Sequence, residues 1–571
     1  MKKTLTIDLG SDRLIAIAGD MIDEHNYIGA LKMLNKNAGL WGDDEDSLML
    51  YAEAYDDMEL NERCINGWFR FLDFDTEGRL EDLTDCYEGL AVAYMNAGYE
   101  QYAAYYYDKM LILSDETDAE SRAEIVRSLL INEPNPLKVA YPPEEADCSE
   151  IMSKGIENMK RGELDKALED FDSVPEGNPR YPSARNYMAM CHIMSGKPEE
   201  AEKVCLNLLE KHPDDVGALT TLAAVKVERA GECARSENPD DAVNAINARM
   251  ESREIAQKLF SLGCGDLDDL YRIATVLCEN KMHAEAYETF AKVARERPYD
   301  TTLLYFLAIS AFNCGKYEES FDAFDALLTI KPEAVTANYY YKEARAAVEN
   351  GNASEMSYFY VLPDNVRESS LKLLAAFMKL SEAESRKLME TVNICDLIRW
   401  CFDESDMHSG SELACLGAEV AVKCRLDDIV RDVLIDAFQP DELKIDVLTR
   451  LCARNEDNEF GVVICHIFKR VPLYKLAIGR LRRKNFVKAY SNLVGHFALI
   501  DERLVKSFAR TAEEIYFRLE REERLNDAND TDALTAAIFK KSGADKSVKI
   551  ENVENFFAVD EDRLKKITGE Q

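Results

Sequence analysis

Small, aromatic and proline residues return every 34 positions along this chain, and that period limits its fold more than any other property. Gly155, Gly162, Ala167, Phe171, Val174 and Pro179 set the frame. Ala189, Gly196, Ala201, Cys205, Leu208 and Pro213 repeat it. Ala274, Ala286, Phe290, Val293 and Pro298 give it again, and Ala308, Gly315, Ser320, Phe324, Leu327 and Pro332 follow directly. A fixed period of this length means one supersecondary unit stacked many times, since a single unit cannot bury its own apolar face.

Each position has a physical reason. The small residue in the first helix and the Ala in the second allow the two helices to cross closely. The Gly between them ends the first helix in a turn that tolerates positive φ. The aromatic plugs against neighbouring helices, and the Pro stops the second helix before the next unit. Weaker copies precede these: Ala18 and Ala30, then Ala52, Cys64 and Trp68, then Ala91, Gly98, Ala103 and Tyr107. Another copy stands at Ala223, where 17 extra residues before Ala274 predict a long helix from about Asp240 to Leu262.

The frame resembles the tetratricopeptide repeat, a 34-residue helix–turn–helix. The resemblance covers roughly residues 11–350. It implies an all-α chain: a right-handed α-solenoid of helical hairpins followed by a helical C-terminal region. The expected organisation is degenerate repeats over 11–130, a proline-rich linker over 131–147 (Pro134, Pro136, Pro142, Pro143) and the main array over 148–350. Residues 351–530 lose the frame but keep helical periodicity, as at Leu413, Leu416, Val420 and Ala421, and predict an irregular solenoid or cap. In the tail, residues 531–571, the run from Ile550 to Ile567 has the spacing of a small helix-turn-helix. Asp560, Glu561 and Asp562 would face phosphates there, so a packing role is expected instead.

The resemblance also implies where a partner docks. In such repeats the first helix of each unit lines a concave groove. The groove positions here are Asn186, Met190 and Met194, then Tyr271, Thr275 and Glu279, then Tyr305, Ile309, Phe312 and Asn313. Aromatics and Met suit adaptable peptide contacts; Tyr305 and Phe312 read equally well as inter-repeat packing. The ninth positions (Ile156, Met190, Ala224, Thr275, Ile309) lack the Asn of the carboxylate clamp found in chaperone-binding relatives. The expected partner is an extended or helical protein segment, and the chain's formal net charge of −38 favours a basic one.

One stretch departs from that charge. Between Phe460 and Ile500 no Asp or Glu occurs, but Lys469, Arg470, Lys475, Arg480, Arg482, Arg483, Lys484 and Lys488 do. The strip is an anion-binding candidate and the basis of an alternative reading, a regulator contacting nucleic acid or another polyanion. The structural reading has Lys469 and Arg470 ending a helix before Pro472 and complementing its dipole.

Catalytic chemistry has no supporting pattern. The 15 cysteines are scattered singletons without a C-x-x-C, and Cys205, Cys278 and Cys452 sit at apolar helical positions. The seven histidines form no metal-ligand spacing, and no phosphate loop or nucleophile elbow occurs. Ile7–Ser11 is like the first phosphate loop of actin-like ATPases, but helical residues follow at once, so a helix start capped by Ser11 or Asp12 is expected. No enzyme activity, cofactor or metal is expected. Without a signal sequence or an apolar run of about 18 residues, a cytoplasmic protein is expected.

Overall fold

Every glycine of the repeat frame that separates two helices has a left-handed backbone: φ is 79° at Gly98, 75° at Gly162, 67° at Gly196 and 78° at Gly315. In repeats that lack the glycine, His25, Glu59 and Lys281 take the same conformation at φ 59°, 59° and 53°. The turn geometry is therefore kept where the residue suited to it is not. The structure is a computed structural model, which describes residues 10–74, 80–114, 119–130, 148–235, 239–351, 354–408 and 411–569. The proline-rich stretch 131–147 and Ile7–Leu9 lie outside these residues. The helix after them, Ser11–Asp23, is entered from Gly10 without a side-chain cap, so neither Ser11 nor Asp12 caps it.

The chain divides into two compact units. One comprises residues 133–331 and 337–359; the other comprises residues 1–132, 332–336 and 360–571.

The first unit is a run of helical hairpins. Its helices include Tyr181–Met194, Pro198–Lys211, Val216–Arg235, Pro239–Leu262, Leu267–Glu279, His283–Glu296, Thr301–Asn313 and Tyr317–Ile330. Three of the second helices stop two residues before the frame proline, at Lys211, Glu296 and Ile330. The earliest, Leu164–Asp172, stops well short of Pro179. Aspartates begin the first helices: Asp266 accepts from the Asp268 and Asp269 amides, and Asp300 from the Leu303 amide. The small and aromatic frame residues are the core. Ala167, Phe171, Ala184 and Cys191 form one buried cluster, and Ala274, Ala286, Phe290 and Val293 belong to another. Gly155 touches Phe171 so closely that an added Cβ would lie 2.5 Å from the ring. The 17 extra residues lengthen the hairpin at Val216–Arg235 and Pro239–Leu262.

The second unit joins both ends of the chain. Hairpins at Ser11–Asp23 and Tyr27–Trp41, Glu45–Asp57 and Asn61–Phe74, and Leu80–Asn96 and Glu100–Ser114 share the unit with helices drawn from residues 364–568. It also holds an antiparallel β-hairpin, β1 Asn458–Ile464 and β2 Ile467–Leu473, paired from Asn458↔Leu473 to Ile464↔Ile467. A helical reading of this stretch is therefore corrected. Phe460, Val462, Val463, Ile464, Ile467 and Val471 are β-branched or aromatic and fit a pleated surface. The tight turn is Cys465–His466, with φ 47° and 61°. Both central residues of such a turn need positive φ, and neither is glycine, so surrounding contacts must hold them.

Those contacts come from the N-terminal repeat. The Tyr106 hydroxyl donates to the His466 carbonyl at 2.8 Å and accepts the Phe468 amide at 3.3 Å. The His466 ring lies 4.4 Å from that of Tyr102, with Tyr94, Tyr99 and Phe438 around it, and its Nδ1 is 3.2 Å from the Tyr94 hydroxyl. Lys444, fully buried, donates to the Val463 carbonyl at 2.7 Å.

The tail packs in the same unit. Val553, Leu564 and Ile567 are buried, Lys540 pairs with Glu554 at 3.3 Å, and Arg518 donates to the carbonyls of Ile567 and Thr568.

Candidate protein-interaction site

The groove positions divide into two sets. On helix Thr301–Asn313, Tyr305, Ile309 and Phe312 are buried. Tyr305 stands edge-on to Phe324 and Tyr340 at 6.1 and 6.2 Å, and Phe312 packs on Tyr317 at 5.1 Å. These three side chains, expected to face a ligand, are buried, and Tyr305 and Phe312 pack on neighbouring helices. Tyr271 of helix Leu267–Glu279 is half-buried between Phe290 and Phe306.

Asn313 is polar and held differently. Its carboxamide takes the Met356 amide at 2.8 Å and donates to the Met356 carbonyl at 2.9 Å. Met356 lies in the non-helical segment Ser354–Phe359 of the same unit. The Tyr305 hydroxyl donates to the Phe359 carbonyl at 3.1 Å. Tyr358 stacks on His283 with its hydroxyl 2.9 Å from Nδ1, and Glu355 pairs with Lys281 at 3.0 Å. Burial pushes the Tyr358 hydroxyl well above the ordinary phenol range and holds the His283 imidazole below its usual value, with Glu355 acting against that. A neutral imidazole facing a protonated phenol suits the hydrogen bond between them.

On helix Tyr181–Met194 the equivalent positions are open. Met190 is 43% and Met194 56% exposed, one turn apart on a single face. Asn186 donates to Asp215 at 2.9 Å, while its oxygen is buried without a hydrogen-bond partner. Asp215 is fixed in turn by accepting the Ala218 amide at 2.8 Å.

Four residues of the basic strip hydrogen-bond within the protein. Lys469 and Arg470 lie on β2 and not at a helix end, and they serve the C-terminal ends of other helices. Lys469 donates to the Leu499 and Ile500 carbonyls at 2.7 and 3.2 Å, and Arg470 to those of Leu72 and Asp73. Arg482 donates to Asn526 and Arg483 to the Ile478 carbonyl. Lys475, Arg480, Arg483, Lys484 and Lys488 are exposed.

A family model described as tetratricopeptide repeat matches residues 158–225, which hold Asn186, Met190 and Met194. The chain carries tetratricopeptide repeats. No curated protein compared with it matches the sequence. Solved structures similar to it include TTC0263, a thermophilic repeat protein of this kind from Thermus thermophilus. It is 14% identical, with 35% of this chain and 99% of that one covered and a TM-score of 0.27. The repeat domain of P58(IPK) is 11% identical over 60% of this chain and 99% of that one, TM-score 0.22. Yeast Tom70 is 13% identical over 96% and 98%, TM-score 0.19. Among the described residues, no group of three His, Cys, Asp or Glu side chains is placed to hold a metal, and no helix is long and apolar enough to cross a membrane.

Proposed function

We propose that this chain is a non-enzymatic protein-interaction scaffold that takes a segment of a partner protein on the inner helix Tyr181–Met194. The observation that carries the reading is the exposed pair Met190 and Met194, beside the unpartnered oxygen of Asn186. Unbranched, polarizable methionines adapt to an apolar side chain of a partner. Met190 and Met194 stay exposed, whereas Tyr305 and Phe312 of a later repeat are buried.

The test is affinity capture from native cells with the full chain, comparing wild type with a Met190→Glu, Met194→Glu double variant. A captured protein should fall by about tenfold or more in the variant, as for a buried interface centre. The thermal midpoint should be unchanged, because both side chains are already in water. Undiminished capture by a folded variant would remove this helix from the interface.

A further inference from the structure

We infer that Ser354–Phe359 is a built-in occupant of a second peptide site, and that a partner segment with an acidic–apolar–x–aromatic pattern displaces it. This rests on the scaffold reading above and adds to it a site on a different helix and a means of regulation.

The geometry is that of a bound peptide. Met356 is held at Asn313 and the Phe359 carbonyl at Tyr305. Those anchors are eight residues apart on one helix, a rise of about 12 Å. Their partners are three residues apart, with Met356 at the later anchor and Phe359 at the earlier one, so the segment runs antiparallel to helix Thr301–Asn313. It bends at Tyr358, where the Ser357 hydroxyl accepts the Phe359 amide at 3.2 Å. Asn313 meets both N–H and C=O of Met356 and also acts on the Tyr358 hydroxyl, and Tyr305 meets a carbonyl. The main-chain contacts among these are indifferent to side-chain identity.

Selectivity comes from three side chains. Met356 is the buried anchor at 6% exposure. Glu355 meets Lys281 at 3.0 Å and the His283 Nε2 at 3.6 Å. Tyr358 stacks on His283 at 5.7 Å. Phe359, by contrast, is 75% exposed, and Ser354 and Ser357 are exposed as well. The segment is held by Met356, by Tyr358 packed against the repeat core, and by the tether, which supplies an effective concentration in the ~mM range. A free peptide of the same chemistry faces that intramolecular competitor. The matching partner is acidic at the position facing Lys281, despite the chain's overall negative charge.

The probe is a fluorescent peptide with the sequence of residues 354–361, and the readout is anisotropy with the full chain. Wild type is compared with Met356→Asp, Tyr358→Ala, which strips the segment of its anchors. The released variant should bind the probe at least about tenfold tighter. Adding Asn313→Ala should cancel that gain, and a scrambled peptide should not bind. A folded released variant that binds no tighter, or a gain that survives Asn313→Ala, overturns the inference. Should the released variant not fold, hydrogen exchange on the wild-type chain with saturating probe decides. The Met356 amide should lose protection, and retained protection overturns the inference. The Met190→Glu, Met194→Glu variant should bind the probe as wild type does. Normal partner capture on that helix with no probe binding to the released variant would defeat the built-in occupant alone. Lost capture specificity with intact probe binding would defeat only the first site.

Discussion

Among single residues, the repeat frame is a set of steric tolerances, and the tightest is at Gly155. A Cβ there would enter the Phe171 ring; Gly155 is buried, and Phe171 sits in a cluster with Ala167 and Cys191. Gly155→Ala should cost roughly 1–3 kcal/mol of stability by overpacking, measurable by urea denaturation. The same substitution at the exposed Gly39, where a Cβ meets nothing, should stabilise or be neutral. His466 gives a pH prediction. Burial, helped by Lys444 and opposed by Asp441, holds its imidazole below the ordinary value. The unfolded chain then takes up a proton before the folded one does. Stability from this residue is present above a pH of roughly 6.5 and falls as pH drops below it. A His466→Phe variant should show a flatter dependence of its thermal midpoint between pH 7 and 5.

Among elements, the β-hairpin is where sequence expectation and structure part. Its residues alternate poorly, and the segments on either side of it are helical. A strand signal is present as a run of β-branched and aromatic residues, Phe460 to Phe468, but the strained Cys465–His466 turn lacks the glycine or asparagine that marks a hairpin. That turn persists because Tyr106 bonds on both sides of it and the tyrosines enclose His466. Tyr106→Phe should leave the His466 carbonyl and Phe468 amide without a buried partner, at about 1–3 kcal/mol. Calorimetry would show it as a lowered midpoint, and unchanged stability would mean that water replaces the hydroxyl. Two residues of the basic strip are placed by elements too. Lys469 and Arg470 reach the carbonyl ends of other helices, so the dipole complementation expected beside Pro472 holds in kind while the helices involved are different ones.

In the whole molecule, one unit is made from the two ends of the chain. Phe69 stacks on Phe468 at 6.5 Å, Arg431 meets Asp73 at 3.2 Å, and Asn66 bonds Asp436 at 2.8 Å. Asp403, buried, accepts the Thr336 amide at 3.0 Å and the Tyr360 hydroxyl at 2.9 Å. A chain cut at residue 360 loses every C-terminal partner of these repeats. Amides in helices Asn61–Phe74 and Leu80–Asn96 should then exchange at least about tenfold faster; unchanged protection would mean that the N-terminal repeats fold on their own. The hairpin repeats, their core alanines and aromatics, and the left-handed turns are legible in the amino-acid order, because they depend on contacts between residues less than one repeat apart. That order also singles out Asn186, Met190 and Met194. It does not separate these from Tyr305, Ile309 and Phe312, because all occupy equivalent positions on first helices. Three-dimensional packing makes the separation. The aromatics are consumed by neighbouring helices, the Ser354–Phe359 segment returns from 43 residues away to take Asn313, and the hairpin meets tyrosines 360 residues distant. Contacts at such separations leave no period in a sequence, since nothing in the residues between them records which surfaces will meet.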